Sequence, residues 1–135
     1  MDIPDKYGNQ KRVVIVGAGF AGLTLAKKLS LKYFQVILID KNNYHQFQPL
    51  LYQVATSGLE PSSISFPLRK IFQQKRNIFI RMTQVNAVSP ETKMVHTDIG
   101  DVEYDYLVLA QGATTNYFNN DQLQKNAYSM KSVSE

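Results

Sequence analysis

VVIVGAGFAG, residues 13–22, joins an apolar run to a turn that carries three regularly spaced glycines. Four consecutive β-branched residues, Val13–Val16, favour a buried β-strand. The segment that follows, Phe20–Lys32, has apolar residues at three- or four-residue spacing and is predicted to be a helix. The apolar face of this helix is expected to consist of Leu23, Ala26, Leu29 and Tyr33. The sequence therefore predicts a strand, a glycine turn and a helix in succession.

The three glycines have the G-x-G-x-x-G spacing, and each position has a physical reason. Gly17 permits a tight turn out of the strand. Gly19 lacks a side chain, so a pyrophosphate can approach the backbone there. Gly22 permits the helix to pack closely on the strand. The helix N-terminus offers backbone N–H groups and a partial positive charge, which favours a phosphate-containing ligand.

A second apolar run, Val36–Ile39, ends at Asp40, 23 residues after Gly17. A carboxylate at this position accepts hydrogen bonds from the adenosine ribose of a dinucleotide. Asp40 disfavours a ribose that carries a 2′-phosphate, and the neighbouring Lys41 weakens that argument without reversing it. This order of elements makes a dinucleotide-binding α/β fold the preferred interpretation over a glycine-rich turn in an unrelated protein.

Beyond Asp40 the pattern changes twice. Residues 59–75 are predicted to form one helix or two short ones, with Pro61 and Pro67 at first helical positions. Leu68, Ile71 and Phe72 are expected on the buried side of this segment. Alternation of period two then predicts short strands, which are Asn77–Met82, Gln84–Val88, Lys93–Thr97 and Val102–Tyr104, and the apolar run Tyr106–Ala110 predicts a buried strand. Together with Arg12–Val16 and Gln35–Ile39, they predict a parallel sheet plus a small antiparallel meander.

The composition is that of an ordinary globular domain, with 44% hydrophobic and 19% charged residues. Residues 1–10 are polar and are expected to be a flexible N-terminal segment, and residues 11–135 one domain. The chain contains no cysteine, which excludes thiol redox chemistry, disulfides and cysteine-bound metals within these residues. The net charge of +4 fits a pyrophosphate ligand as well as it fits nucleic acid or an anionic membrane surface, so it carries little weight. We expect no nucleic-acid partner.

Three stretches resemble the type II NADH dehydrogenases, single-subunit flavoproteins that pass electrons from NADH to quinone. These stretches are VVIVGAGFAGLTLAKKL, IDKNNYHQFQPLLYQVATSGLE and YDYLVLAQGATTNYF, beginning at residues 13, 39 and 104. The middle stretch is the specific one, because the first is shared by many flavoproteins. The resemblance implies an FAD/NAD(P)-binding Rossmann-like fold that is incomplete here. In that family the N-terminal part binds FAD, a later domain binds NADH, and a C-terminal segment meets the membrane and quinone.

The resemblance also implies cofactor-binding positions for FAD. The pyrophosphate would be held by Gly17, Gly19, Phe20, Ala21 and Gly22. The ribose would be held by Asp40, with Lys41 beside it, and the adenine would meet the backbone of Val85. The flavin end would lie near Pro49, Leu50 and Leu51, and the nucleotide would be closed over by Ala110 and Gly112. Gln111 departs from the small hydroxylated residue that is often found at its position.

No residue is predicted to be catalytic or to bind a metal, and neither His45 nor His96 is given a role in the reaction. The chemistry in such proteins belongs to the flavin, while the protein supplies orientation and electrostatics. Two alternatives stay open. One is another FAD-dependent reductase of the same architecture, although disulfide reductases usually carry cysteines in the stretch that here is NNYHQFQPLLYQVATSG. The other is a non-catalytic dinucleotide-binding module.

The ending Ser132–Glu135 has the form of a capping box, which is typical of a helix start. We therefore expect the chain to be the front part of a longer protein, inactive by itself. Its sheet would then expose an edge, through which self-association is plausible. The resemblance implies that the full-length protein is cytoplasmic and peripheral to the inner face of the membrane, with NADH and quinone bound by parts outside this chain.

Overall fold

The computed structural model describes residues 3–6, 8–30 and 32–135. The strands are Lys11–Val16 (β1), Phe34–Asp40 (β2), Tyr44–Gln46 (β3), Ser65–Pro67 (β4), Ile78–Met82 (β5), Val85–Ser89 (β6), Met94–Thr97 (β7), Gly100–Glu103 (β8) and Tyr106–Leu109 (β9). The α-helices are Phe20–Lys28 (α1), Leu51–Ala55 (α2), Leu68–Ile71 (α3) and Asp121–Asn126 (α4), and the 3-10 helices are Gln48–Leu50 and Pro61–Ser63.

A four-stranded parallel sheet forms the centre of the fold, in the order β5-β2-β1-β9. Strand β1 pairs on one side with β2, placing Val14 opposite Ile37, and on the other side with β9. Parallel strands need a crossover connection, and α1 provides it between β1 and β2. The predicted α/β class with a parallel sheet is confirmed.

Both faces of this sheet are covered by apolar residues, as expected for a parallel sheet. Alternate strand residues pack on α1 and α3, and this core comprises Val13, Ile15, Ala18, Leu23, Ala26, Val36, Leu38, Leu68, Phe72, Ile78 and Ile80. The opposite face contributes to a second core, which comprises Val14, Ile37, Ile39, Val95, Val102 and Tyr104. The predicted burial of Leu68 and Phe72 is therefore confirmed, and Ile71 packs against the first core.

The second core joins the parallel sheet to an antiparallel meander, β6-β7-β8. In the meander Val95 lies opposite Val102, and both side chains are fully buried. A register shift between Val85 and Ala87 interrupts the pairing of β6 with β7. The predicted meander is confirmed, with strand ends within two residues of the expected ones.

Helix α1 ends at Lys28, four residues before its predicted end. The carbonyl of Ser30 then accepts hydrogen bonds from the backbone N–H groups of Tyr33 and Phe34, which turns the chain into β2. The predicted placement of Tyr33 on the buried helix face is wrong, since its side chain is 58% exposed. Because the helix ends at Lys28, the turn at Ser30 sets the direction of the Tyr33 side chain, which lies exposed rather than on the helix face.

The segment 59–75 is less helical than predicted. Pro61 begins a 3-10 helix as expected, but Ser65–Pro67 is the strand β4, which pairs with β3. Pro67 is the N-cap residue of α3 rather than its first helical residue, so its predicted position is wrong by one, and α3 covers only Leu68–Ile71. Pairing with a distant strand has overridden the local helical pattern here.

Contacts within the chain divide it into two compact units. The first comprises Met1–His45 and Pro67–Gln111, and the second comprises Gln46–Phe66 and Gly112–Glu135. The first contains both cores and the parallel sheet. The extent of the FAD-binding domain over residues 11–135 stays a prediction.

Within the second unit, side-chain amides connect the two stretches of chain. Gln46 donates from Nε2 to the carbonyl of Lys131 at 2.7 Å and accepts from the N–H of Val133 at 3.0 Å. The carboxylate of Glu135 accepts from the N–H of Ser132 at 2.9 Å, which is one of the two hydrogen bonds of the predicted capping box. Gln46 and the Glu135 carboxylate therefore hold the turn at residues 131–135 in place.

Asp105, beside the first residue of β9, ties the N-terminal segment to the parallel sheet. Its Oδ2 accepts from Lys6 Nζ and from the backbone N–H of Arg12, both at 2.6 Å, and Lys11 Nζ lies 3.9 Å from Oδ1. Burial alone would raise the pKa of Asp105, but the hydrogen bonds from Lys6 and Arg12 and the charges of Lys6 and Lys11 together lower it. The flexibility predicted for residues 1–10 stays a prediction.

Asp105→Asn is expected to destabilise the protein at neutral pH by about 1 kcal/mol, the scale of a partly exposed charge-assisted hydrogen bond. The pKa of Asp105 is lower in the folded protein than in the unfolded chain. The carboxylate therefore contributes fully to the free energy of unfolding above the ordinary carboxyl pKa of about 4, and this contribution is lost as the pH falls through the folded-state pKa. Urea unfolding at several pH values measures this. The stability difference should shrink below about pH 4, and a difference that stays constant would contradict the assignment.

Strand β9 lies at one end of the parallel sheet, and β5 lies at the other. The predicted burial of β9 is wrong, since Tyr106 and Leu109 are 56% and 61% exposed on this outermost strand of the described sheet. An exposed strand edge with apolar side chains can pair with another strand. Self-association of this chain through such an edge stays a prediction.

Candidate functional site

The turn after β1 is held tightly against the sheet. Gly17 has φ of +103°, which L side chains rarely adopt, and its N–H donates to the carbonyl of Ile39 at 2.8 Å. A Cβ at Gly17 would lie 2.4 Å from the backbone oxygen of Ala110. Both the conformation and the close approach of Ala110, the residue after β9, therefore require glycine at this position.

Gly22 lies where α1 crosses the same turn. A Cβ there would meet the carbonyl oxygen of Gly17 at 1.9 Å and a methyl group of Ile15 at 3.2 Å. The helix therefore packs on the strand at a distance that leaves no room for a side chain. The predicted reason for this glycine is confirmed by the geometry.

Gly19 differs from the other two glycines, because a Cβ there would meet nothing within 4 Å. It is the N-cap residue of α1, a helix of nine residues whose N-terminus has no side-chain cap. Gly19, Phe20 and Ala21 are all exposed. Their arrangement leaves space at the positive end of the helix dipole, where an anion is stabilised.

The carboxylate of Asp40 stands directly beside this turn. Its Oδ2 accepts from the N–H of Ala18 at 2.7 Å, and its Oδ1 accepts from the N–H of Asn42 at 2.8 Å. A carboxylate has about four acceptor sites, so these two bonds leave capacity for ligand hydroxyls. Lys41 follows with an exposed side chain.

His45, for which the sequence predicts no role in the reaction, contacts the turn from the buried side. Its Nδ1 lies 2.9 Å from the carbonyl oxygen of Ala18, and only 7% of the residue is exposed. The ring also meets Phe20 edge-on, with centroids 5.3 Å apart and an interplanar angle of 80°. The only sequence signal for His45 was its place in the specific stretch NNYHQFQPLLYQVA.

Ala110 and Val85 belong to the same unit as the turn. The N–H of Ala110 donates to the carbonyl of Val16 at 2.7 Å, which continues the pairing of β9 beyond its last residue. Val85 is the first residue of β6, lies opposite Thr97 and packs on the second core. The structure thus brings most of the predicted cofactor-binding residues into one unit, namely Gly17, Gly19, Phe20, Ala21, Gly22, Asp40, Lys41, Val85 and Ala110.

The remaining predicted residues belong to the second unit. Pro49 and Leu50 lie in the 3-10 helix Gln48–Leu50, and Leu51 begins α2 with its side chain buried. Gly112 has φ of +74°, and a Cβ there would meet nothing within 4 Å. Gly112 therefore has the left-handed backbone that favours glycine, with open space around it.

His96 lies in a different network, on the outward face of the meander. Its Nε2 is 2.8 Å from Ser89 Oγ, and its Nδ1 is 2.9 Å from Asp101 Oδ1. The side chains of His96 and Asp101 are 37% and 50% exposed, so this face does not exclude water. We interpret the three residues as a cross-strand hydrogen-bond ladder that fixes the register of β6, β7 and β8.

Within the described ranges, every helix is too short or too polar to cross a membrane.

The profile of the pyridine nucleotide-disulphide oxidoreductase family matches residues 11–135. A type II NADH:quinone oxidoreductase of Mycobacterium tuberculosis is 38% identical over 98% of this chain, which corresponds to 29% of that protein. The resemblance inferred from the sequence is confirmed by this similarity.

Two solved structures are similar in fold. NDH2 from Plasmodium falciparum, solved with NADH, has a TM-score of 0.85 and 26% identity over 93% of this chain and 27% of that one. The sulfide:quinone oxidoreductase of Aquifex aeolicus has a TM-score of 0.83 and 28% identity over 92% of this chain and 29% of that one. The chain spans less than a third of the length of these relatives. With the family profile covering nearly all of its residues, the chain belongs to the pyridine nucleotide-disulphide oxidoreductase family.

Proposed function

We propose that this chain is the FAD-binding part of a flavoprotein oxidoreductase that transfers electrons from NADH through FAD to a quinone. The names of its relatives support NADH and quinone as the substrates of the full-length protein. We propose residues 11–135 as the FAD-binding domain, and NADH and quinone sites in parts outside this chain. Attachment of the full-length protein to the inner face of the membrane belongs to the same proposal.

The single observation that carries the proposal is the open space at Gly19 beside the Asp40 carboxylate. A pyrophosphate fits this space, because the residue has no side chain and lies at the uncapped N-terminus of α1. The acceptor capacity of Asp40 fits the ribose hydroxyls next to it. The turn and the carboxylate thus match the two polar parts of an adenine dinucleotide.

The other predicted residues complete the proposed site. The adenine would contact the backbone of Val85, Pro49, Leu50 and Leu51 would lie near the flavin, and Ala110 and Gly112 would close over the nucleotide. Bound FAD would supply hydride acceptance and electron transfer. These residues would bind and orient it, and would exclude water from part of its surface.

The absorption spectrum of the full-length protein, recorded with and without NADH, tests the proposal. We expect a flavin spectrum that is bleached by NADH and restored by a soluble quinone. A colourless protein that binds NADH would support the non-catalytic module instead. A flavin that NADH reduces but quinone does not reoxidise would favour another FAD-dependent reductase of the same architecture.

Asp40→Ala is expected to weaken FAD binding by about 1–3 kcal/mol, the scale for loss of a charged hydrogen-bond partner. Fluorescence titration of the flavin-free protein measures the FAD dissociation constant. Glu91→Ala serves as the control, since it removes one negative charge from an exposed turn of the meander. An FAD dissociation constant that is the same in the Asp40 variant and the wild-type protein would contradict the role of this carboxylate.

The 135-residue chain alone is expected not to catalyse NADH oxidation. Hydride transfer requires the nicotinamide within about 3–3.5 Å of the flavin, so a second binding site must hold it there. These residues contain one G-x-G-x-x-G segment, at Gly17–Gly22, and FAD should occupy it. Supplied with FAD, NADH and a soluble quinone, the chain should show no turnover by NADH absorbance. A rate on the order of 10 per second would contradict this division of sites.

A further inference from the structure

Three consecutive peptide groups in the turn after β1 are held by hydrogen bonds. In the peptide between Val16 and Gly17, the Val16 carbonyl accepts from the N–H of Ala110, and the Gly17 N–H donates to the carbonyl of Ile39. The next peptide donates its Ala18 N–H to Asp40 at 2.7 Å. These bonds come from strand backbones and from the acidic residue already expected at the site.

The third peptide, between Ala18 and Gly19, is held by His45. A carbonyl oxygen only accepts hydrogen bonds, so the 2.9 Å contact assigns the proton to Nδ1 and makes His45 the donor. The described residues contain no cis peptide bond. In a planar trans peptide the N–H points opposite to the C=O, so fixing the Ala18 carbonyl also fixes the Gly19 N–H. That N–H is directed away from the buried His45 ring.

We propose that His45 is a positioning residue for the cofactor, which turns the Gly19 N–H toward the pyrophosphate. This inference rests on the proposed function, because it assumes that FAD occupies the glycine turn. The space at Gly19 lies open for the phosphate, while the imidazole is buried and packed against Phe20. A donor held by packing keeps the peptide oriented before the ligand arrives, so binding carries less ordering cost.

A packing role alone would not require a nitrogen at this place. Loss of the donor would leave the Ala18 carbonyl without its His45 partner and would allow the peptide to rotate. Rotation would turn the Gly19 N–H away from the phosphate without altering Asp40. The positioning role therefore predicts a defect that is specific to the pyrophosphate part of the ligand.

Three substitutions of His45 in the full-length protein separate the two roles. His45→Asn places an amide nitrogen near the position of Nδ1, His45→Gln places it near Nε2, and His45→Phe keeps a ring without a donor. We expect the Asn variant to bind FAD nearly as well as wild type. The Gln and Phe variants should bind FAD about three- to tenfold more weakly, the effect of losing one hydrogen bond.

Competition with FAD identifies which part of the ligand is affected. ADP carries the pyrophosphate and adenosine does not, so the Gln and Phe variants should lose affinity for ADP and not for adenosine. Urea unfolding of each flavin-free variant reports any loss of stability, and if the Phe variant fails to fold, the Asn and Gln pair decides. Equal weakening of ADP and adenosine, or wild-type FAD affinity in both the Gln and Phe variants, would overturn the inference alone. A wild-type protein that binds no FAD would overturn the proposed function and this inference with it.

Discussion

Gly19→Val is expected to abolish flavin retention while leaving the parallel sheet folded. The valine side chain would occupy the space that the structure leaves open at the N-terminus of α1, where the pyrophosphate must approach the backbone. The backbone at Gly19, with φ of −70° and ψ of −164°, is extended and accessible to valine. The protein should therefore lose its ligand for a steric reason and keep its fold.

The flavin-to-protein absorbance ratio of the purified full-length variant measures this effect, and far-ultraviolet circular dichroism reports the fold. Thr24→Val serves as the control, because it adds a valine to an exposed position of the same helix, beyond the turn. Normal flavin content in the Gly19 variant would show that the pyrophosphate does not lie at this residue.

Gly22→Ala is expected to have the largest effect on stability. Helix propensity alone would favour alanine over glycine by about 1 kcal/mol. The added Cβ, however, would lie 1.9 Å from the carbonyl oxygen of Gly17. This backbone atom cannot move easily, because hydrogen bonds hold the three consecutive peptides between Val16 and Gly19. Overpacking against backbone outweighs propensity here, so we expect a net loss of about 3 kcal/mol, at the upper end of the usual range.

Gly19→Ala is the matched control for this substitution, because the same change is made on the same helix in open space. It should cost no more than about 1 kcal/mol, the typical free energy of unfolding lost when an N-cap residue is replaced by alanine. Urea unfolding of the flavin-free variants compares the two. Equal unfolding midpoints for Gly19→Ala and Gly22→Ala would mean that the close packing of α1 on the turn is not required for stability.

The candidate site was predictable from sequence where its residues follow a recognisable spacing along the chain. Gly17, Gly22 and Asp40 are identified by their spacing along a strand, a turn, a helix and a second strand, and the structure gives each a geometric reason. His45 was not predictable in the same way. Its contact with Ala18 joins residues 27 positions apart in the chain. A single histidine that belongs to no recognised motif gives no sign of such a partner in its own neighbourhood.

The same distinction applies to the fold. The apolar runs Val13–Val16 and Val36–Ile39 predicted their strands because a parallel sheet buries both faces. For the segment 59–75 the predicted helical structure was largely wrong, since its prolines and apolar spacing favour helices. The structure instead pairs β4 with β3, and the N–H of Leu68 donates to the carbonyl of Asn43 at 2.8 Å.

The sequence by itself determined the order of strand, glycine turn, helix, strand and acid, because each depends on residues that are close together in the chain. Tertiary structure alone decided the end of α1, the exposure of Tyr33, the short α3 and the hydrogen bond that orients the Ala18–Gly19 peptide. All four depend on where the chain turns or on which distant backbone and side-chain groups it meets. Local propensities amount to less than about 1 kcal/mol per residue, so such long-range contacts override them.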